Sequence, residues 1–339
     1  NENEKSSTLS RYDYITLISL ILETLLGSLG NSFIVAVNLC DLLTHGELNS
    51  FDLILTCLGL SRWVLQFLVL TVFVISIGWK SSGSKYSESL QYSWLFYSNS
   101  SMWFATWLCV LYCVRIANIQ NFIFNLLKKH FDRLLPWFLM ASVAISVVFN
   151  STETGDEPFF LGSKNFASFS TLCALGSLPP FLIFCTAALM VVSSLMKHVQ
   201  KMKEQEKTGF REPSVKAHYG AVMSIGLFFI FYLFYMVTFN IYISQTVDSS
   251  LVKCFCAVTI GAYPSIHSLF LVHGNNKLRY IMVGFLKKVC CFGQECFLPW
   301  SSSTPNRLAA NPITCAVLQI FGKPGLLGGP ENQGWDPLS

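Results

Sequence analysis

Glu23 and Arg62 each interrupt a long apolar stretch, residues 15–40 and 53–79. A charge in such a setting is costly, so each asks for a chemical role. Glu23 lies about nine residues from the start of the first stretch, and Arg62 about ten from the start of the second. If the two stretches are antiparallel helices, both charges sit ~15 Å deep. The chemistry this predicts is an ion pair across two adjacent helices, with Gln66 one turn beyond Arg62 completing a polar knot. The pair would serve either as a fixed register lock or as a switch. Glu23, Gly27 and Gly30 fall on one helical stripe that lets a neighbouring helix approach closely. Further along, Cys109, Tyr112 and Arg115 share a face, and Arg115 is either a helix-end anchor or a signalling residue. No phosphate-cradling glycine loop, Gly-x-Ser-x-Gly or His-Glu-x-x-His occurs, so no enzyme is expected. His267 and His273 lack metal-ligand spacing with any Cys or carboxylate, and neither a metal site nor a cofactor is expected.

The elements that must carry these residues are seven apolar windows: 15–40, 53–79, 89–114, 134–150, 165–196, 217–247 and 251–276. A bilayer-spanning helix needs ~20 mostly apolar residues, and six of the seven clear that length. The fourth, with about 17, is short. Hydrophobic residues make up 52% of the chain and charged residues 12%, half the share of a soluble domain. Backbone groups in lipid must be satisfied internally, which points to a helix bundle. Lys128, Lys129 and Arg133, then Lys197 through Lys216, then Lys277 through Lys288 load alternate connections with positive charge. The intervening connections carry Glu153, Asp156, Glu157 and Asp248. The positive-inside rule places the N-terminus outside and the C-terminus in the cytosol. The polar start of the chain leaves span one itself to target the membrane. The fold expected is an all-α membrane protein: a seven-transmembrane helix bundle with a short cytosolic helix after the last span. Its divisions are an extracellular N-terminus (1–13), the seven-helix bundle (14–290) and a cytosolic tail (291–339), rich in Pro, Gly and Ser and expected to be disordered.

Pro179-Pro180 and Pro264 predict kinks in spans five and seven. Of two glycosylation sequons, Asn150 falls in an outer connection and is the candidate, whereas Asn99 lies inside span three. Cys290, Cys291 and Cys296, beside Lys287 and Lys288, are either palmitoylation sites or free thiols.

Several strings, in order, resemble the bitter taste receptors, the taste receptor type 2 family of G-protein-coupled receptors. They are Gly30-Asn31-Ser32-Phe33-Ile34; Leu60-Ser61-Arg62 with Leu65-Gln66; Trp103 through Leu108 with Tyr112 and Arg115-Ile116-Ala117-Asn118; Ser194-Leu195-Met196-Lys197-His198; and Tyr263-Pro264-Ser265-Ile266-His267-Ser268 with Gly274 through Arg279. Together they cover about residues 14–290. The resemblance implies an agonist pocket in the outer half of spans three, five, six and seven. Trp94 matches the pocket tryptophan of span three. The position four residues on is Ser98, with Asn99 beside it. Tyr235 matches the aromatic of span six that rests below the pocket, and Ala257 stands where several members carry a polar pocket residue, whose loss favours apolar or weakly polar ligands. Activation and structural roles fall on Glu23, Asn31, Arg62, Tyr112, Arg115, Pro264 and His267. A cytosolic face with Lys197, His198, Lys201 and His218 would meet the G protein. The implied partners are small bitter agonists, a gustducin-type heterotrimeric G protein and membrane lipids, without nucleic acid. The implied location is the plasma membrane, with multiple passes.

Two features depart from the family pattern: the short fourth span with its small outer loop, and the unmatched residues 300–339. They leave a second reading, a receptor-derived membrane protein that no longer signals. A third, a transporter or channel, lacks internal repeats and a selectivity-filter sequence.

Overall fold

The computed structural model describes residues 10–78, 85–117, 121–151, 166–206, 215–244 and 248–296. Among them all regular structure is helical. The helices are α1 (Arg11–His45), α2 (Ser50–Gly78), α3 (Lys85–Ile116), α4 (Phe122–Ser151), α5 (Phe166–Glu206), α6 (Val215–Ser244), α7 (Ser250–Gly274) and α8 (Asn276–Cys296).

Local chemistry sets several helix ends. Ser10 caps α1: its Oγ accepts from the Tyr12 amide, and Asp13 returns a bond to the Ser10 amide at 3.1 Å. Gly46 ends α1 with φ 77°, a left-handed conformation that suits glycine. Asn49 opens α2 by accepting from the Asp52 amide at 2.8 Å. Asn275 does the same for α8, accepting from the Lys277 amide at 2.9 Å.

Five helices (α1, α2, α4, α5 and α7) contain stretches long and apolar enough to cross a membrane. α6 carries a shorter apolar run, Phe229–Tyr242. α3 is polar for a physical reason: Ser98, Ser100, Ser101 and Thr106 are all buried and face other helices rather than lipid. The chain divides into two compact units, Asn1–Arg279 and Tyr280–Ser339. Within the first, α1 packs on α2 and α7, α3 is central against α2, α4 and α5, and α6 fills the interval between α5 and α7. In the second, the helical backbone continues to Cys296. The helix therefore extends six residues into the stretch expected to be a disordered tail; residues 297–339 lie outside the described ones.

α4 is a 30-residue helix that begins at Phe122, ahead of the apolar window 134–150. Lys128, Lys129 and Arg133, assigned by their charge to an inner connection, are helical. Pro136 is accommodated inside α4.

Three glycines set the closest approach. A side chain on Gly30 would begin 2.7 Å from Ser268 Oγ, one on Gly27 would collide with Ser265, and one on Gly261 with Glu23 and Leu20. α1 and α7 thus meet almost backbone to backbone, as small residues permit in membranes.

Candidate functional site

The expected pair between Glu23 and Arg62 is not made. Arg62 is fully buried and turns to α7 and α3: its Nε donates to Ser101 Oγ at 3.1 Å, and its Nη2 donates to Tyr263 Oη at 3.1 Å. Its Nη1 donates to Nδ1 of His267, which fixes that ring as an acceptor on this side. The guanidinium carbon also stands 5.0 Å from the Tyr263 ring centroid. Helix register explains the difference. Asn31 lies opposite Gly59, and Thr24 lies opposite Gln66 across the antiparallel pair. Arg62 is therefore level with Ser28, about five residues or ~7 Å below Glu23. The α2 residue level with Glu23 is Phe67, and Gln66 is one position away.

Above Arg62 a column of aromatic rings rises through the bundle. Tyr263 stacks on Tyr235 with centroids 4.5 Å apart, and Tyr235 on Phe239 at 5.6 Å. Phe239 meets Trp94 edge to face at 5.7 Å. Ser98 and Tyr235 share a hydrogen bond, linking α3 to α6 one turn below Trp94. At the top lies a small cavity of about 20 Å³, lined by Leu20, Val69, Phe73, Trp94, Tyr242, Ala257 and Ile260. It holds little more than one water-sized body. Its walls come from α1, α2, α3, α6 and α7, so the described lining reaches further toward α1 and α2 than the family resemblance implied. The lining is apolar apart from the tyrosine Tyr242 and the Trp94 indole, whose Nε1–H is buried without a partner. Trp94 and Ala257 line this cavity; Ser98 and Tyr235 sit beneath it, and Asn99 is half-buried on α3.

Beside the column, Thr106 Oγ1 donates to Pro180 O at 3.0 Å, tying α3 to α5 beside its Pro179-Pro180 pair. Asn31 donates to Gly27 O at 2.8 Å, a bond within α1, and Pro264 is buried inside α7.

At the inner end the bonding is ionic. Lys277 bonds Asp52 Oδ2 at 2.9 Å and also pairs with Asp41. Asn38 donates to Asp52 O and to Thr56 Oγ1, both at 3.1 Å. Burial works against the Lys277 charge, yet the bonds to Asp41 and Asp52 hold the ammonium above its ordinary value. Nearby, Arg115 spans both Asp132 oxygens at 3.1 Å, and Ser50 donates to the same carboxylate at 2.6 Å. Tyr112 meets Phe51 edge to face at 5.7 Å. Sequence reasoning missed Lys277, Asp41, Asp52 and Asp132, although the charges were visible; their meeting depends on helix packing. Among the expected cytosolic residues, Lys197 is exposed, while the side chains of His198, Lys201 and His218 lie outside the described residues. The Asn150 side chain does too.

The Taste receptor protein (TAS2R) family profile matches residues 9–290. The chain belongs to the taste receptor type 2 family. It is 33% identical to taste receptor type 2 member 119 of Mus musculus over 315 residues, 88% of this chain and 91% of that protein. It is also 33% identical to member 39 of Papio hamadryas, over 78% of this chain and 84% of that one. Member 1 of Chlorocebus aethiops matches at 33% over 82% and 97%. The protein is thus a chemosensory membrane receptor and not an enzyme. The match takes in the inner-end residues Lys277, Asp41 and Asp52 as well as the column.

Proposed function

We propose that this receptor resides in the plasma membrane, binds small bitter compounds at the Trp94 cavity and activates a gustducin-type heterotrimeric G protein. The carrying observation is the unbroken column from Trp94 through Phe239, Tyr235 and Tyr263 to Arg62. A ligand pressing on Trp94 acts on the same stack that positions the buried guanidinium. With only about 20 Å³ free, an agonist must part Trp94, Phe73 and Tyr242 to enter. It therefore binds the opened arrangement better, and its differential affinity is what shifts the population. The apolar walls, with Ala257 among them, favour ligands of low polarity, and the unpartnered indole N–H favours one hydrogen-bond acceptor.

At the inner end, Lys197, His198, Lys201 and His218 on α5 and α6 form the face offered to the Gα C-terminal helix.

The test is calcium release in cells carrying a gustducin-like chimeric Gα, across a panel of bitter compounds, with surface labelling in the same wells. The expected result is a dose-dependent response that Trp94→Ala abolishes without loss of surface protein. Silence across the panel from well-labelled cells, or responses unchanged by Trp94→Ala, counts against the reading.

A further inference from the structure

The seam between α1, α2 and α7 holds two hydrogen-bond acceptors with nothing to accept. Glu23 Oε2 is buried with no partner, and so is Gln66 Oε1. Both border Gly261. Gln66 Nε2 donates to the Gly261 carbonyl at 3.2 Å, which fixes the amide with its oxygen turned away. Glu23 Oε2 occupies the place where a side chain on Gly261 would begin. The remaining polar groups nearby are already committed. Ser265 Oγ donates to the Glu23 carbonyl at 2.7 Å, and Thr24 Oγ1 donates to Leu20 O at 2.6 Å.

The titratable and charged groups facing this seam are Arg62 on α2 and Tyr263 and His267 on α7. They are bonded to one another one to two turns away. No described cation pairs with Glu23. An ionised carboxylate left unpaired at this depth is costly enough that a group changes its protonation instead. A metal ion in its place would need several oxygens around an open site. The contact of Glu23 with Gly261 and Leu20 leaves the seam closely packed.

We propose that Glu23 is a proton-binding site: it is held as a neutral carboxylic acid whose hydroxyl donates to Gln66 Oε1. One proton then satisfies both orphaned acceptors, and the α1–α2–α7 seam closes without a charge. Arg62 stays with His267 and Tyr263 because Glu23 makes no electrostatic claim on it. When the carboxyl loses its proton to water, Arg62 becomes its nearest available cation, and the α7 bonds compete with a new pair across α1 and α2. By linkage, falling pH favours the arrangement described here, and rising pH through the titration of the site opposes it.

Infrared spectroscopy of the full chain in lipid nanodiscs tests this without reference to any agonist or G protein. The C=O stretch of a protonated carboxylic acid stands apart from carboxylate and amide bands. The expected spectrum at neutral pH contains such a band. Glu23→Gln, an uncharged mimic of the acid, should fold and lack it. Gln66→Leu should shift the band by removing the acceptor, and alkaline titration of the wild type should remove it. Glu23→Asp keeps an acid and should move the band, so the assignment survives even if Glu23→Gln fails to fold. A wild-type spectrum with no protonated-carboxyl band overturns the proposal, as does a band that neither Glu23 variant alters. Thermal stability that rises with sodium concentration in the wild type but not in Glu23→Gln also overturns it, making the site a cation's.

Discussion

Two basic residues on this chain are held in opposite ways. Arg62, in the middle of the bundle, meets no carboxylate: its donors go to a serine hydroxyl, a tyrosine and a histidine ring. Lys277, at the inner rim, is gripped by two aspartates. The naive expectation is the reverse, with the most buried charge most tightly neutralised. Full burial changes the terms, because every added charge must itself be desolvated, while neutral acceptors and ring faces stabilise a cation at lower cost. At the rim, water shares that cost, and carboxylates become the better partners.

The contrast is broken most severely by Arg62→Ala. It leaves Ser101, Tyr263 and His267 without their donor, and each buried polar group left unsatisfied costs roughly 1–3 kcal/mol. Thermal unfolding in nanodiscs should show that loss together with poor surface labelling. Gly261→Leu attacks the same region by overpacking against Glu23 and Leu20, with an expected cost of roughly 1–3 kcal/mol. It should separate α1 from α7, which a cross-linking yield between cysteines on the two helices would report as a decrease. At the rim, Lys277→Ala strands Asp52, whose side chain is only 7% exposed, and should cost roughly 1–2 kcal/mol.

The pH dependence of the Lys277 contribution has a definite sign. The folded-state value is raised, so the stabilisation is fully present below the ordinary value of 10.5 and is lost as pH climbs above it. Unfolding followed through that alkaline range should therefore show a step that Lys277→Ala lacks. The smallest effect belongs to Arg115→Ala. The Arg115–Asp132 pair is 54% and 60% exposed, so its loss should cost no more than about 1 kcal/mol and less in high salt. A cost well above that for Arg115→Ala, or a negligible one for Arg62→Ala, would collapse the distinction between core and rim.

Helix number and type among the described residues were legible because apolar patterning is a one-dimensional property, and the family strings are local. Pro179, Pro180 and Pro264 lie inside α5 and α7. What failed depended on where a helix starts relative to its neighbour. Glu23 and Arg62 looked level because each was measured from the edge of its own window; the contacts Asn31–Gly59 and Thr24–Gln66 place them ~7 Å apart. The charged residues ahead of span four were set apart as a connection, while α4 is helical through Lys128 and Asp132. The Trp94 cavity illustrates both sides. Its indole and Ala257 were anticipated from the family resemblance, whereas Leu20 and Phe73 join them only through the packing of α1 and α2 into the bundle.

The inward row of α1 reads Thr16, Leu20, Thr24, Gly27, Asn31, Ile34 and Asn38, whereas Ile15, Ile18, Leu22, Leu25, Leu26 and Leu29 face outward. The greasy side of this helix therefore supplies the free energy of membrane insertion, and the small and polar side supplies the address at which it docks. The two tasks load different residues. Exchanges among Leu, Ile and Val on the outer row should pass unnoticed by the translocon and by the bundle alike. Descendants of this gene can vary widely along that row while the docking address stays put.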